Sequence, residues 1–127
     1  MKKRTQQRPK TVWGKQLIID ACGIQAEWLK DIPEIKKLLN HLVKRLKMKP
    51  LSKATVKKVR SGNYPDWGVS GFIMLYESHI AIHTWPEENY AAVDIYSCKD
   101  FCEKKALNYL QKIWPSSQIK SRVIIRE

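Results

Sequence analysis

Three apolar segments of strand length follow one another closely between residues 69 and 97, and this spacing constrains the fold more than any other feature. Residues 69–76, 80–85 and 91–97 are rich in Val, Ile and aromatic side chains, and only short turns separate them. Strands joined by such short turns run antiparallel, because a parallel pair needs a crossover of a dozen or more residues. The centre of the chain therefore predicts an antiparallel sheet.

Two amphipathic segments flank these strands, and their periodicity is typical of helices. In the first, apolar residues recur every three or four positions over residues 32–46, and Asp31 with Glu34 fits an N-terminal capping pair. In the second, residues 100–114 have a similar apolar face, with Asp100 as the candidate N-cap. Further strands are predicted at residues 16–22, 54–60 and 117–126.

The predicted order of elements is β-α-β-β-β-β-α-β, and 127 residues is the size of a single domain. Two helices can cover only one face of a sheet of this size. The predicted fold class is therefore α+β: a two-layer α/β sandwich with a mainly antiparallel sheet and two helices on one face. The other face needs water or a partner. Residues 13–127 form this domain, and a disordered basic arm at residues 1–12 precedes it.

Composition excludes several classes of protein. No apolar run reaches the roughly 18–20 residues of a membrane helix, and no secretory-type apolar segment follows the basic N-terminus. Three cysteines are too few, and odd in number, for a disulfide scaffold, so a reducing, cytoplasmic location is expected. No third ligand with zinc-like spacing accompanies any His or Cys pair, so no metal is predicted.

The charge of the chain is concentrated in its first half. Residues 1–60 hold 17 Lys and Arg against 4 acidic residues, whereas residues 61–127 hold 7 against 8. A basic excess raises nonspecific affinity for nucleic acids. A basic nucleic-acid-binding module is therefore one candidate function, although a solvated basic face would give the same count.

The residues capable of chemistry cluster in the second half of the chain. Glu77-Ser78-His79 lies between two apolar strands with no Gly or Pro to ease the bend, which suggests backbone strain at this point. A serine hydroxyl at a strained peptide can attack the preceding carbonyl and convert the amide into an ester, while a histidine moves the protons. A thiol nearby, such as that of Cys98, would act as a proton donor or a nucleophile.

Other interpretations of these residues stay open at this point. In one of them, the Ser78 hydroxyl only caps a turn and His83 is a hydrogen-bonded core residue. His79 and His83 share a strand face and would form half of a metal site. A Ser-His-Asp hydrolase would use Asp94, but the chain has no Gly-x-Ser-x-Gly segment.

Two segments carry a resemblance to a known family: Glu77–Glu87 (ESHIAIHTWPE) and Tyr90–Cys98 (YAAVDIYSC). With this internal spacing, the chain resembles the pyruvoyl-dependent S-adenosylmethionine decarboxylases of the bacterial and archaeal type. The resemblance covers residues 14–127 and is dense over residues 68–98.

The resemblance implies a self-processing enzyme of polyamine (spermidine) synthesis. Such proteins are made as inactive proenzymes, and the chain breaks between the residues that match Glu77 and Ser78. Ser78 then becomes a pyruvoyl group that forms a Schiff base with the substrate and accepts electrons as pyridoxal phosphate would, so no separate cofactor is needed. The implied substrate is S-adenosylmethionine, with arginine or ornithine as the alternative on the same scaffold. The implied assembly is a homodimer of cleaved protomers with sites at the interface.

The resemblance also assigns roles to further residues. His83 matches the histidine that moves protons during processing, and Ser70 matches a serine that assists it. Cys98 matches the thiol that returns a proton to the product carbon. Three positions match residues near the substrate: Tyr64, Trp85 and Glu87.

The chain departs from the family pattern at three positions. Tyr64 stands where Phe is expected. Trp67 occupies a position that is usually small or polar, so its bulk would reshape the pocket. Lys99 replaces the usual Gly after the cysteine.

Overall fold

The computed structural model describes residues 12–60 and 67–127. The predicted basic arm, apart from its last residue, and Tyr64 lie outside these ranges. The described chain contains, in order, β1 (Gly14–Cys22), α1 (Ala26–Leu29), α2 (Ile32–Arg45), β2 (Thr55–Val59), β3 (Gly68–Met74), β4 (Ser78–Trp85), a 3-10 turn (Pro86–Glu88), β5 (Tyr90–Ser97), α3 (Glu103–Ile113) and β6 (Gln118–Arg126). None of these described helices is long and apolar enough to cross a membrane.

The six strands form one sheet in the order β2-β3-β4-β5-β1-β6. Every neighbouring pair is antiparallel, as the short turns of the central segment predicted. β3, β4 and β5 follow one another through these turns, whereas β1 joins them from the N-terminal side and pairs with β5. The first strand of the described chain therefore lies beside the last strand of the central segment.

One face of the sheet carries the hydrophobic core and the helices. α2 packs there, and the side chains of Ile35 and Leu39 crowd the space above Gly71 of β3. Burial of each such Leu or Ile contributes about 1.5–3 kcal/mol. The two-layer α+β sandwich is thus confirmed. A third helix, α1, was not predicted, because four residues are too few for a periodic pattern. The fully buried strand residues include Leu17, Ile19, Ile80, Ile82 and Ile95.

The two predicted helix caps have different outcomes. The Asp31 carboxylate accepts a hydrogen bond from the Glu34 backbone N–H at 3.1 Å, as predicted. Asp100 as the cap of the last helix was wrong, since α3 begins at Glu103 and Cys102 occupies the N-cap position. Asp100 instead accepts from the Lys15 ammonium at 2.7 Å. The Lys15 side chain is only 12% exposed, and a cation so placed needs charged acceptors.

β4 begins two residues earlier than predicted. Ser78 and His79 are strand residues, and Ser78 pairs with Ser97 of β5. The expected backbone strain is not seen, because the described non-glycine residues with positive φ are Lys47 and Asn89. The bond that the sequence singles out for cleavage therefore lies at the first residue of a regular strand.

Candidate active site

The sheet face opposite the helices carries most of the side chains predicted to perform chemistry. Ring contacts run across it from strand to strand. The His79 ring stacks on Phe72 at 5.6 Å and lies 5.9 Å from Tyr96, measured between ring centres. His79 therefore contributes to an aromatic surface. No group of three potential metal ligands occurs among the described residues.

Four of the predicted residues meet at one end of β4, and we call Ser70, His83, Trp85 and Glu87 the histidine cluster. Ser70 and His83 are paired across β3 and β4, which places Oγ of Ser70 2.9 Å from Nδ1 of His83. All four residues line a single cavity of about 160 Å³. Two residues assigned to processing and two assigned to substrate binding thus share one site.

The cavity at the histidine cluster is small for a nucleoside-bearing ligand, since pockets for ligands of that size measure roughly 300–1,000 Å³. Trp67 forms part of its wall. Two ammonium groups flank the Trp67 ring, from Lys58 at 4.4 Å and Lys30 at 5.7 Å from the ring centre. The described residues of one protomer therefore enclose only part of the volume that such a ligand needs.

Thr84 holds the strands that present the histidine cluster. Its buried hydroxyl donates to the carbonyl oxygen of Leu29 at 2.8 Å and accepts from the N–H of Val69 at 2.9 Å. A Cβ atom at Gly68 would collide with the Thr84 carbonyl oxygen, so only glycine permits this close approach. The hydroxyl thus ties α1 to the start of β3, next to Ser70.

Replacing Thr84 by valine is expected to lower the free energy of unfolding by on the order of 2–4 kcal/mol, because it leaves two buried backbone groups without a partner. Thr84→Ser is the matched control: it keeps the hydroxyl and should cost about 1 kcal/mol or less, for one lost methyl group. Urea unfolding of both variants measures the difference. Equal losses would mean that the hydroxyl contributes nothing.

Tyr90 and Asp20 support the Trp85 ring from the side of β5 and β1. Tyr90 stacks on Trp85 with 5.3 Å between ring centres, and its phenol donates to Asp20 Oδ1 at 2.5 Å. The pKa of Tyr90 is raised from 10.0 to about 12. The hydrogen bond to Asp20 is the largest cause, and burial of the phenol is the second. The phenol therefore keeps its proton to a higher pH than a free tyrosine, and the hydrogen bond ties the stacking partner of Trp85 to β1.

The remaining predicted residues meet at the other end of β4, and we call Glu77, Ser78 and Cys98 the cleavage cluster. The backbone N–H of Cys98 donates to the Glu77 carbonyl oxygen at 3.0 Å. The Cys98 thiol is exposed and lies 3.8 Å from the Tyr96 phenol. The Ser78 hydroxyl contacts the Met48 thioether at 3.9 Å, which is a weak acceptor. The backbone of Cys98 thus lies against the Glu77 carbonyl, while the Ser78 hydroxyl points to Met48 on the helix side and the Cys98 thiol points to Tyr96 on the open face.

The two clusters do not meet within one protomer. Ser78 and His83 are five residues apart on the continuous strand β4, a distance of about 17 Å at roughly 3.4 Å per residue. Ser70 is hydrogen-bonded to His83 and pairs with it across the strands, so Ser70 is also remote from Ser78. The sequence analysis placed Ser78, His83 and Cys98 at one site, and it gave no sign of this separation between them.

Sequence reasoning missed Thr84, Asp20 and Tyr90 as supports of the site. The sequence could have indicated Thr84, since it is a polar residue at a core-facing position of an apolar strand. Asp20 and Tyr90 gave no such signal, because their contact depends on β1 pairing with β5.

Comparisons with known proteins identify the family of this chain. The model of the S-adenosylmethionine decarboxylase family matches residues 15–127. The chain belongs to this family. An S-adenosylmethionine decarboxylase proenzyme of Persephonella marina is 34% identical over 117 residues, which cover 89% of this chain and 81% of that protein. Proenzyme 2 of Bacillus anthracis is 32% identical over 117 residues, covering 91% and 90%.

A solved structure of the same family supports the fold. The adenosylmethionine decarboxylase of Aquifex aeolicus superimposes with a TM-score of 0.75 at 28% sequence identity, covering 91% of this chain and 92% of that one. The decarboxylase family therefore accounts for nearly the whole described chain. The nucleic-acid-binding alternative gains no support from these comparisons.

Proposed function

We propose that this chain is the proenzyme of a pyruvoyl-dependent S-adenosylmethionine decarboxylase that supplies decarboxylated S-adenosylmethionine for polyamine synthesis. The observation that carries the proposal is the contact between Cys98 and the carbonyl of Glu77, directly before Ser78, in a chain of this family. Arginine and ornithine, the alternative substrates on such a scaffold, gain no support from the relatives.

Self-cleavage begins with the Ser78 hydroxyl. Its Oγ adds to the Glu77 carbonyl carbon and loses its proton to a base. The C–N bond then breaks, the nitrogen takes up a proton, and an ester replaces the amide. Loss of the Ser78 Cα proton expels residues 1–77 as a carboxylate. Addition of one water and release of one ammonia leave a pyruvoyl group at the new N-terminus.

The residues around Ser78 fit this group. Within residues 12–60 and 67–127, the acceptor that the Ser78 hydroxyl contacts is the weak one of the Met48 thioether, so the hydroxyl is available to react. Once formed, the group supplies the electron sink for the loss of carbon dioxide. The Cys98 thiol, one residue beyond the strand partner of Ser78, returns a proton to the product carbon. A working thiol of this kind requires a reducing compartment, which supports a cytoplasmic location.

Substrate binding falls to the histidine cluster. S-adenosylmethionine carries a sulfonium cation and an adenine ring. The Trp85 face serves the cation by cation–π attraction or the adenine by stacking, and the Glu87 carboxylate attracts the positive charge. Tyr90 and Asp20 keep the Trp85 ring in position for either contact.

The active assembly is a homodimer in which one protomer gives the cleavage cluster and its partner gives the histidine cluster. The clusters lie at opposite ends of β4. A two-fold axis across the middle of that strand, with the uncovered sheet faces stacked about 10 Å apart, brings each histidine cluster over the partner's Cys98 thiol and the end of β4 that carries the Glu77–Ser78 peptide. The middle of the strand carries the small residue Ala81, paired with Asp94 of β5. Such an arrangement also completes the undersized cavity.

Carbon dioxide release tests the proposed reaction. The purified protein is expected to release labelled carbon dioxide from carboxyl-labelled S-adenosylmethionine and none from labelled arginine or ornithine. An unlabelled adenosine-bearing analogue should compete, because part of the site recognises the adenine. Release from arginine or ornithine alone would contradict the substrate assignment and leave the decarboxylase chemistry intact.

A further inference from the structure

We propose that the backbone N–H of Cys98 stabilises the oxyanion that forms on Glu77 during self-cleavage, and that Lys15 is the positioning residue that holds the Cys98 segment for this purpose. The inference rests on the proposed self-processing. It adds a catalytic group, the Cys98 amide, and a role for Lys15 of β1, the strand that pairs with β5 on the side away from β4.

The Cys98 amide already contacts the oxygen that becomes negatively charged in the reaction. Its N–H donates to the Glu77 carbonyl oxygen at 3.0 Å. When Ser78 Oγ adds to the Glu77 carbonyl carbon, the π electrons of that carbonyl move onto this same oxygen and make it an anion. A hydrogen bond to an anion is shorter and about twice as strong as one to a neutral carbonyl. The contact therefore stabilises the transition state more than the ground state, as an oxyanion hole does.

The segment after Cys98 is held by several contacts that converge on Lys15. The Lys15 ammonium donates to Asp100 Oδ1 at 2.7 Å and to the Phe101 carbonyl oxygen at 2.6 Å, and it lies 2.8 Å from a Glu103 carboxylate oxygen. It also sits 4.5 Å from the centre of the Phe101 ring. Four contacts from one side chain thus fix residues 100–103, immediately beyond Cys98.

The strand pairing carries this restraint to the cleavage cluster. Lys15 of β1 pairs with Ser97 of β5, and Ser97 in turn pairs with Ser78 of β4. The nearly fully buried Ser97 hydroxyl accepts from the Lys99 N–H at 2.9 Å, so residue 98 is held on both sides. The Cys98 amide therefore has little freedom to move away from the Glu77 oxygen.

The charges of the lysine contacts persist across neutral pH. Burial works to lower the pKa of Lys15, but its hydrogen bonds to Asp100 and Glu103 outweigh this, and the pKa is raised. The same hydrogen bonds lower the pKa values of Asp100 and Glu103. The three groups stay ionised together at the pH of the cell, so the restraint on the segment is present whenever the proenzyme matures.

A methionine in place of Lys15 would fill the same space without the cost of dehydrating a cation. An ion pair whose acidic partner is as exposed as Asp100, at 92%, contributes little to stability on its own. The ion pair with Glu103, whose side chain is 34% exposed, is better shielded from water, so Lys15 contributes to stability as well as to the position of the segment that carries the Cys98 amide.

The test compares the cleavage rates of full-length chains made by cell-free translation and followed by intact mass. Lys15→Met is expected to slow cleavage at least about 10-fold, because the amide shifts from the Glu77 oxygen, and Lys15→Arg should recover most of the rate. Lys112→Met removes an exposed lysine of α3 and should cleave at the wild-type rate. Thermal unfolding of each uncleaved chain establishes that it is folded.

A backbone variant separates the amide from every side chain. Semisynthesis that replaces the Ser97–Cys98 amide by an ester removes the N–H and keeps the thiol, and it should slow cleavage by about 10²–10³. This variant decides the matter if Lys15→Met does not fold. A folded Lys15→Met chain or an ester chain that cleaves at the wild-type rate would overturn this inference alone. A wild-type chain that never cleaves would overturn the proposed function itself.

Discussion

A chain with Ser78 replaced by alanine is expected to remain whole, while the wild-type protein separates into residues 1–77 and 78–127. Alanine has no Oγ to add to the Glu77 carbonyl carbon, so the ester cannot form. The effect is all-or-none, since uncatalysed hydrolysis of a peptide bond is negligible on any laboratory time scale. The contact network around the Glu77 carbonyl oxygen does not involve the Ser78 side chain, so the variant should still fold.

Intact mass under denaturing conditions measures this result. The fragment that begins at residue 78 should be one ammonia lighter than a chain starting with serine, which identifies the pyruvoyl group. Ser121→Ala, at an exposed position of β6, is the matched control and should cleave normally. A wild-type chain that stays whole after long incubation, like the Ser78→Ala chain, would contradict self-processing.

Co-expression of Ser78→Ala and His83→Ala chains is expected to restore cleavage that neither shows alone. In a mixed dimer, the His83→Ala chain keeps Ser78 and receives the intact histidine cluster of its partner. Random pairing puts about half of the His83→Ala chains into such dimers, so about half of them should be cleaved. The physical reason is the distance of about 17 Å along β4, which prevents His83 from serving Ser78 of its own protomer.

A second pair of variants controls for this experiment. Ser70→Ala and His83→Ala both damage the histidine cluster, so no mixed dimer of these two chains holds an intact one. They should stay uncleaved together if both residues act in processing. A mass tag on one chain identifies which of the two is cut. Cleavage in neither pair would mean that the two clusters do not combine across a dimer.

The sequence predicted most of the fold because the evidence for it is local. The apolar period of residues 32–46 predicted α2, and the Asp31 cap lies within three residues of its donor. The cap assigned to Asp100 was wrong for the opposite reason. Its true partner, Lys15, is 85 residues away in sequence, and the local capping pattern takes no account of such a competitor.

The start of β4 shows the same difference between evidence that is local in the sequence and contacts between distant segments. The sequence placed Ser78 in a strained bend, because a strand boundary between apolar segments has no sharp signal. In the structure, pairing with β5 extends β4 to Ser78 and keeps its backbone regular. Backbone strain therefore is not what prepares this bond for cleavage; the Glu77 oxygen accepts the Cys98 N–H in the same register as the β4–β5 pairing.

By itself, the sequence determined the family, the antiparallel sheet, the core and the kinds of side chain in the site. The sheet and the core follow from periodicity and short turns, which depend on residues close together in the chain, whereas the family and the roles of the site residues follow from the resemblance carried by residues 77–87 and 90–98. Only the tertiary structure decided that the site residues fall into two clusters at opposite ends of β4, and that Lys15, Asp20 and Thr84 support them. Such facts depend on which strands pair and in which register, and pairing between distant segments leaves no local trace in the sequence.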